Sequence, residues 1–584
     1  MCGIFCSVAR HGHALPSPAM KTRLTARGPD ASNTVLAEVE ESSGEARTYL
    51  TLFSTVLSLR GNVTTDQPLR TAEFQAVLCW NGEAWKIRGQ PPLGNDTAAV
   101  HQLLSEGLAE VRDFGAGTAE AIRASLCAIA RSLARIAGPY AFVFFDEKSS
   151  RLFFGRDFLG RRSLLWKIDQ RGELLLSSVG DSSMHGAWTE VEADGVYCVD
   201  LALRSASQQD FAGCQTWGDL PIFKVPYNFV DTLQDDNDSV IPRLSLQREF
   251  TARSCTLDET SPSVSMLDKL LRDSLRARIL GIPEPPLRSP EDSNLEKAKL
   301  AILFSGGLDC TVLARICHDM LPEDAVIDLL NVAFQNPRSH KDAGEGAYEL
   351  CPDRVTGRAS YAELEKVCPQ RKWRFVAIDV PYPEYLEHRQ QVMELMHPHN
   401  TEMDLSIAAA LYFAARGRGR DCSHGAEKAY MSQARVLLSG LGADELFAGY
   451  TRHATAFRRQ GYEGLLDELD LDVARLGKRN LGRDDRVISH WAREARFPFL
   501  DEAFVAWALQ CSLLDKCDFG DSVSIEGGRL SSCASIEPGK KVLRCLAWKL
   551  GMAGLAREKK RAIQFGARTA KMETGKTKGT AMIS

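Results

Sequence analysis

The chain has 584 residues, 44% hydrophobic and 25% charged, with a formal net charge of −5 and 16 cysteines. That length exceeds what one hydrophobic core supports, so two or more domains are expected, and the acidic balance supplies no basic field for nucleic acid or an anionic membrane. No run of 18 apolar residues offers a membrane-spanning helix, and the scattered cysteines show no paired metal spacing, which reads as reduced packing residues in a cytoplasmic protein acting on small polar substrates.

The start, Met1-Cys2-Gly3-Ile4-Phe5, lacks the basic segment and long apolar run of a signal peptide. Once Met1 is removed, Cys2 carries both a thiol and a free α-amine. An α-amine titrates near about 7.7 to 8.0, so a fraction is unprotonated at neutral pH and can take the thiol proton. The expected product is a nucleophile with its own general base.

Residues 1 to about 200 alternate apolar and polar positions in short strands, at Tyr140 to Phe145, Arg151 to Phe154, Leu174 to Ser177 and Gly195 to Val199, with a helical stretch from Ala119 to Ile136. This suits a layered sandwich of two sheets with helices outside. From 201 to 262 the pattern weakens and Asp, Ser and Gln accumulate, which reads as a linker. A helix near Ser265 to Leu280 then presents Leu267, Leu270, Leu271, Leu275 and Ile279 on one face. Four apolar runs follow, Leu300 to Phe304, Val326 to Phe334, Trp373 to Val380 and Arg435 to Leu438, each leading into a loop or helix. Their spacing predicts βαβ units on a parallel sheet, with ligands beyond the strand C-termini. Residues 335–360 and 416–434 read as surface insertions, and 571–584 as a mobile tail.

Several motifs carry chemistry. Thr25-Ala26-Arg27-Gly28-Pro29-Asp30 is a charged loop, Asp66-Gln67-Pro68-Leu69 a turn, and Leu78-Cys79-Trp80-Asn81-Gly82-Glu83 a strand entering a turn. A lone Asn-Gly is ordinarily a hairpin turn. In this order after Cys2, however, the motifs resemble the class II glutamine amidotransferases, N-terminal-nucleophile hydrolases. Gly138-Pro139-Tyr140-Ala141-Phe142-Val143-Phe144 and Phe154-Gly155-Arg156-Asp157-Phe158-Leu159-Gly160 extend the likeness to the glutamine-hydrolysing asparagine synthetase family. The resemblance implies that Cys2 attacks the glutamine amide, that Asn81 and Gly82 form the oxyanion hole, and that Asp96 holds the substrate α-amine. Where the family usually has an Arg for the α-carboxylate, this chain has Val56; Arg60 is the alternative.

In the second half, Ser305-Gly306-Gly307-Leu308-Asp309-Cys310 turns a strand into the helix Thr311 to Met320. Its glycines let N–H groups converge beside a helix N-terminus, an anion cradle. Without Gly-Lys-Ser/Thr it is no Walker A loop; it resembles the pyrophosphate loop of ATP pyrophosphatases, with Cys310 where Ser is usual. Ser439-Gly440-Leu441-Gly442-Ala443-Asp444-Glu445 resembles the asparagine-synthetase fingerprint Ser-Gly-x-Gly-x-Asp-Glu. The resemblance implies an ATP site at Ser305, Gly306, Gly307, Asp309, Val332, Ser439, Gly440 and Lys540, with Mg²⁺ on Asp309 and Asp444. His490-Trp491-Ala492-Arg493-Glu494 through Asp501 also matches and reads as structural. Leu441 stands where asparagine synthetases usually carry a Glu. With Ala443 and Lys560-Arg561-Ala562-Ile563-Gln564-Phe565-Gly566, it makes the chain resemble most the asparagine synthetase domain-containing branch.

The expected fold is thus an α+β layered N-terminal-nucleophile hydrolase sandwich (αββα) over 2–200, the linker 201–262, an α/β parallel-sheet ATP-pyrophosphatase domain over 263–570, and the tail. The implied function is a glutamine-dependent, amide-forming ligase, Mg²⁺-ATP activating a small carboxylate, by default aspartate, as an adenylate. Two alternatives stay open: another acceptor on the same fold, or a binding protein that has lost its chemistry. Neither nucleic acid nor membrane is expected as a partner; a homodimer is compatible with this reading.

Overall fold

The computed structural model describes residues 1–40, 47–61, 63–111, 118–181, 187–203, 215–217, 220–227, 239–248, 257–286, 296–338, 344–425, 427–520, 536–570, 572 and 580–583. Two compact units emerge. The first takes residues 1–241 with 393–399 and 476–492; the second takes 242–392, 400–475 and 493–584.

In the first unit, a six-stranded sheet joins β1 (Gly3–Ala9), β2 (Ala31–Glu40), β3 (Arg47–Val56), β10 (Leu165–Ile168), β11 (Leu174–Ser177) and β12 (Thr189–Glu190) in the order β12-β10-β11-β1-β3-β2. A seven-stranded sheet joins β4 (Leu69–Thr71), β5 (Ala76–Gly82), β8 (Tyr140–Asp146), β9 (Arg151–Arg156), β13 (Gly195–Asp200), β14 (Gln215–Trp217) and β15 (Leu220–Pro226) in the order β14-β15-β13-β9-β8-β5-β4. A two-stranded ribbon pairs β6 (Lys86–Ile87) with β7 (Ile136–Ala137).

Every residue of β1 is buried, and strand alternation explains what each face covers. Ile4, Cys6 and Val8 join Val77, Cys79, Val143 and Phe154 of the other sheet in one core. Phe5 faces the opposite way and packs with Met20 and Leu24 of helix α1 (Pro18–Arg27). Beyond the second sheet lie α2 (Asp96–Ala109) and α3 (Ala119–Ala134). His101 of α2 meets Phe144 edge-on and bonds Ala76 O at 3.1 Å, while Arg151 of β9 donates to Ser125 of α3 at 2.8 Å. The layers therefore run helix, sheet, sheet, helix. Within the segment read as a linker, β14 and β15 add to the second sheet because Trp217, Ile222, Phe223 and Val225 are buried; 204–214, 218–219, 228–238 and 249–256 lie outside the described residues.

The second unit is built on β16 (Leu300–Leu303), β17 (Ile327–Phe334), β18 (Trp373–Val380), β19 (Arg418–Asp421), β20 (Lys428–Met431), β21 (Val436–Leu438) and β22 (Glu494–Arg496), ordered β20-β19-β18-β17-β16-β21-β22. The five strands from β18 to β22 across this order pair in parallel. Helix α4 (Pro262–Ile279) starts after Ser261 with Pro262 in its first turn and buries Leu267, Leu271 and Leu275. Helix α5 (Leu308–Met320) follows β16, and α6 (Pro352–Val367) follows β17.

Two expectations are corrected. Residues 352–360 are not an insertion but the first half of α6, whose charged Arg354 is buried on Asn331 and Asp379. Residues 418–431 supply the antiparallel strands β19 and β20 that extend the sheet. Of the tail read as mobile, 571, 573–579 and 584 lie outside the described residues, while Ala581 O accepts from Glu402 N at 3.1 Å and Ile583 N donates to Asn400 O at 2.8 Å. Among the described residues, no helix is long and apolar enough to cross a membrane.

Candidate functional site

Cys2 precedes β1 and is buried, as is Met1. The turn is anchored by Gly3, whose N–H donates to Thr55 Oγ1 at 3.1 Å; a Cβ there would come within 2.6 Å of that oxygen. Gln67 ties the thiol to β5. Its Nε2 lies 3.8 Å from Cys2 Sγ and 3.3 Å from Thr97 Oγ1, and its Oε1 accepts from Trp80 N at 2.7 Å. From the other side, Arg27 Nε donates to Cys2 O at 3.3 Å.

Asn81 and Gly82 end β5. Glu83 N donates to Pro139 O at 2.9 Å, so the alternation of an antiparallel ladder turns the Gly82 N–H away from β8. It points to the side on which Trp80 N meets Gln67. Glycine is required at 82, since a Cβ would lie 2.6 Å from Pro139 O and 2.8 Å from Tyr140 Cβ. Asn81 is completely buried, yet neither its Oδ1 nor its Nδ2 has a hydrogen-bond partner among the described residues. Leaving a buried polar group unmet costs about 1–3 kcal/mol, and a substrate oxygen would recover that cost.

Asp96 and Arg60 converge on the two backbone polar groups of one residue, Ala84. Asp96, placed at the start of α2 by the Asn95 cap, accepts from Ala84 N at 2.8 Å and Trp80 Nε1 at 3.3 Å. Arg60 Nη1 donates to Ala84 O at 2.9 Å, and its Nε is 3.7 Å from Glu83. Burial raises the Asp96 carboxyl pKa, opposed by the Ala84 N–H and the Arg60 charge. Val56, buried at the end of β3, brings no charge, and its backbone packs on Gly28.

In the second unit, the turn read as an anion cradle lies between β16 and α5. Gly306 has φ +77°, and a Cβ there would lie 2.4 Å from Gly357 N of α6. Ser360 Oγ donates to Gly306 O at 2.6 Å and Gly307 N to Ser305 Oγ at 3.3 Å. The Cys310 thiol, pushed up by burial, donates to Gly307 O at 3.3 Å and so closes the turn from inside. Val332 stands next to Asn331, whose Nδ2 reaches Phe304 O at 2.9 Å. Ser439 N bonds Arg496 O at 3.0 Å, and its hydroxyl takes Leu441 N at 3.3 Å.

The two acidic candidates meet on one cation. Lys540 Nζ is 2.8 and 2.7 Å from the two Asp309 oxygens and 2.7 Å from Asp444 Oδ1; Lys560 Nζ pairs with Asp444 Oδ2. Close approach is allowed by glycines: a Cβ on Gly440 would lie 2.7 Å from Asp309 Cβ, and one on Gly449 2.0 Å from Asp444 Oδ1. Burial works against the Asp444 charge, but Lys540 and Lys560 hold its carboxyl well below the usual range. Asp309 and Asp444, facing one cation position, are the residues that would hold Mg²⁺ with their oxygens. Among the described residues no group of three or more His, Cys, Asp or Glu is placed to hold a metal.

Glu445, next in sequence, is buried with its Oε1 2.5 Å from the Tyr450 hydroxyl and its Oε2 without a hydrogen-bond partner among the described residues. Burial and the neighbouring Asp444 charge raise its carboxyl pKa. Leu441 is half-buried and brings no polar side chain.

Sequence reasoning singled out neither Gln67 nor Lys560 as a site residue. Gln67 lay inside a motif read only as a turn, and its position before Pro68 was the available signal. For Lys560 the family segment Lys560–Gly566 was the signal, without anything to say which acid it meets.

The sequence itself has known relatives. The model of the glutamine amidotransferase domain matches residues 1–211, and that of asparagine synthase matches residues 424–471. The chain is 33% identical to asparagine synthetase domain-containing protein 1 of Bos taurus, covering 99% of this chain and 97% of that protein. It is 31% identical to asparagine synthetase domain-containing protein YML096W of Saccharomyces cerevisiae over 96% of this chain and 90% of the other. A putative glutamine-hydrolyzing asparagine synthetase of Methanocaldococcus jannaschii matches at 35% identity over 52% of this chain and 50% of its own length. A glutamine amidotransferase domain followed by an asparagine synthase region defines the class, an amidotransferase-like protein with a second region of the ATP-using type. The chain belongs to the asparagine synthetase domain-containing protein family.

Proposed function

We propose that this protein is a glutamine-dependent amide-forming ligase, in which glutamine is hydrolysed at Cys2 and the ammonia is transferred to a carboxylate activated as its adenylate. The observation that carries the reading is the Asn81 amide, buried with both polar atoms unmet at the end of the strand that Gln67 ties to the Cys2 thiol.

After Met1 is removed, the Cys2 α-amine takes the thiol proton and Sγ attacks the side-chain amide carbon of glutamine. The oxyanion is met by Asn81 Nδ2 and the Gly82 N–H; one such donor is typically worth about 10²–10³ in rate. The proton passes to the leaving nitrogen, ammonia departs, and water cleaves the thioester to glutamate. Asp96 holds the substrate α-amine and Arg60 its α-carboxylate. In the second unit, the Ser305-Gly306-Gly307 turn with Ser439, Gly440 and the Val332 backbone holds ATP. The acceptor carboxylate attacks the α-phosphorus and pyrophosphate leaves, Lys540 offsetting the charge; ammonia then replaces AMP on the carbonyl. Asp309 and Asp444 would hold Mg²⁺, which supplies neutralisation of phosphate charge.

Aspartate is the default acceptor. Leu441, apolar at the loop that faces Asp309, favours a second reading in which another carboxylate is used. Pyrophosphate release by the purified protein with Mg²⁺-ATP, tested across aspartate and other carboxylates with glutamine or ammonium, decides between them. Absence of release with every pairing would overturn the ligase.

A further inference from the structure

The buried side-chain amide of Gln67 has three partners, and one of them is the nucleophile. Trp80 N donates to Gln67 Oε1 at 2.7 Å. A backbone N–H can only donate, so this bond fixes which end of the amide is oxygen and turns the NH₂ toward Cys2 Sγ, at 3.8 Å, and Thr97 Oγ1, at 3.3 Å. Thr97 is itself held in the first turn of α2, where its N–H donates to Asn95 Oδ1 at 2.9 Å. Trp80 also sends its indole N–H to Asp96 Oδ2 at 3.3 Å. One residue of β5 therefore sets both the amide that meets the thiol and the carboxylate given to the substrate α-amine.

A donor aimed at sulfur favours one of its two protonation states. A thiol sulfur is a weak acceptor, whereas a thiolate carries a full charge, and hydrogen bonds to charged groups are the stronger ones. The contact thus favours the form that attacks. Burial acts in the opposite sense, as it does at Cys6 and Cys79 in the core between the sheets, whose thiols it pushes up. An amide neither takes nor releases a proton at working pH, so Gln67 leaves the α-amine as base. The contact exists while Met1 is still in place, and the sulfur is held before the α-amine is released.

We infer that Gln67 is a further catalytic residue of the glutaminase site, whose amide N–H holds Cys2 Sγ in position and stabilises its thiolate, in the attack on glutamine and again when water releases sulfur from the thioester. This rests on the glutamine-hydrolysing reading above.

The charged groups of the site are the Cys2 α-amine, Arg27 with its partner Asp485, then Asp96, Glu83 and Arg60 about the end of β5, and the exposed Asp66 beside Gln67. Replacing the neutral Gln67 by Met leaves all of them in place, so a shift of thiol reactivity with pH reports the lost donor. The experiment is iodoacetamide alkylation of Cys2 in the full chain without Met1, followed against pH by mass spectrometry of the N-terminal peptide, beside glutaminase kinetics. Loss of one hydrogen bond to a charged group predicts that Gln67→Met lowers Cys2 alkylation at neutral pH about 10- to 100-fold, moves the midpoint up by about one to two pH units, and lowers kcat with KM for glutamine near that of the natural chain. Gln67→Glu keeps an oxygen for Trp80 N but sets a carboxylate against the sulfur, and should move the midpoint at least as far. An unchanged midpoint in folded Gln67→Met would overturn the inference and leave Gln67 a strut between β5 and α2, as would a loss confined to KM. If Gln67→Met does not fold, an unchanged midpoint in Gln67→Glu overturns it. A natural chain that hydrolyses no glutamine instead defeats the glutamine-hydrolysing reading, while the alkylation midpoints still decide whether Gln67 holds the sulfur.

Discussion

Arg27 Nη2 stands 2.8 Å from Asp485 Oδ2, and neither side chain has any exposed surface. Ser489, one turn along the helix Leu481–Ser489, takes Arg27 Nη1 at 2.5 Å, which leaves Nε for the Cys2 carbonyl. Residues more than 450 positions apart in sequence thereby set the backbone that presents the thiol. Removing one partner of a fully buried ion pair strands the other charge, at a cost of about 3–5 kcal/mol. Asp485→Ala is therefore expected to lower unfolding stability by that amount in denaturant titration and to reduce glutaminase activity. An Arg27→Met/Asp485→Leu double variant should recover much of the stability without the activity.

Cys2→Ala is expected to abolish glutamine hydrolysis while ammonium-driven pyrophosphate release continues, because the two chemistries use separate residues. A chain in which Met1 removal is blocked should behave in the same way, since the α-amine is then an amide and accepts no proton. Mass spectrometry of the N-terminus beside a glutaminase assay checks both. Glutamine hydrolysis by Cys2→Ala would remove Cys2 from the proposal.

A pH dependence follows from Asp353, in the first turn of α6, where burial pushes its carboxyl up to about 7 against the opposing charges of Arg561 and Lys560. The ordinary value is 3.8, so between the two values the folded state binds the proton more tightly than the unfolded one. Stability therefore falls as pH rises through that interval, by at most about 1.4 kcal/mol per unit. Denaturant midpoints between pH 4 and 8 measure it, and Asp353→Asn should flatten the slope. Gly566→Ala is expected to destabilise at every pH, since its Cβ would lie 1.9 Å from Asp353 Oδ1.

What could be read in advance was what local chemistry dictates. The turn at Gly306, the apolar run of β16 and the end of β5 at Gly82 each depend on neighbours in sequence, and glycine positions mark where another backbone comes close. The Lys560–Asp444 pair joins residues 116 apart, and a charged residue far from its partner looks like solvated surface until the fold brings the two together. The first half of α6 was obscured for the same reason. Arg354 there resembles a loop charge, and its burial is possible only because Asn331 on β17 and Asp379 on β18 satisfy it.

Leu441 poses the sharpest chemical question. Ammonia attacking an adenylate must shed a proton, and Leu441 has no group to take it. The nearby carboxyl of Glu445 is buried, accepts from Tyr450, and has its pKa raised by burial and by Asp444, so its proton is held more tightly than that of an ordinary Glu. Its Oε1 is already taken by the Tyr450 hydroxyl, so only the buried Oε2 is left to accept a proton. We expect aspartate-dependent pyrophosphate release to be slow in the natural chain and faster in Leu441→Glu. General-base help is typically worth about 10²–10⁴ in rate, but a grafted carboxylate without supporting partners recovers only part of that. The gain should be seen with ammonium as donor as well as glutamine, because the change lies after ammonia is made. Rapid asparagine formation by the unmodified chain would show that another group takes the proton, and Glu445→Gln would then be the variant that stops it.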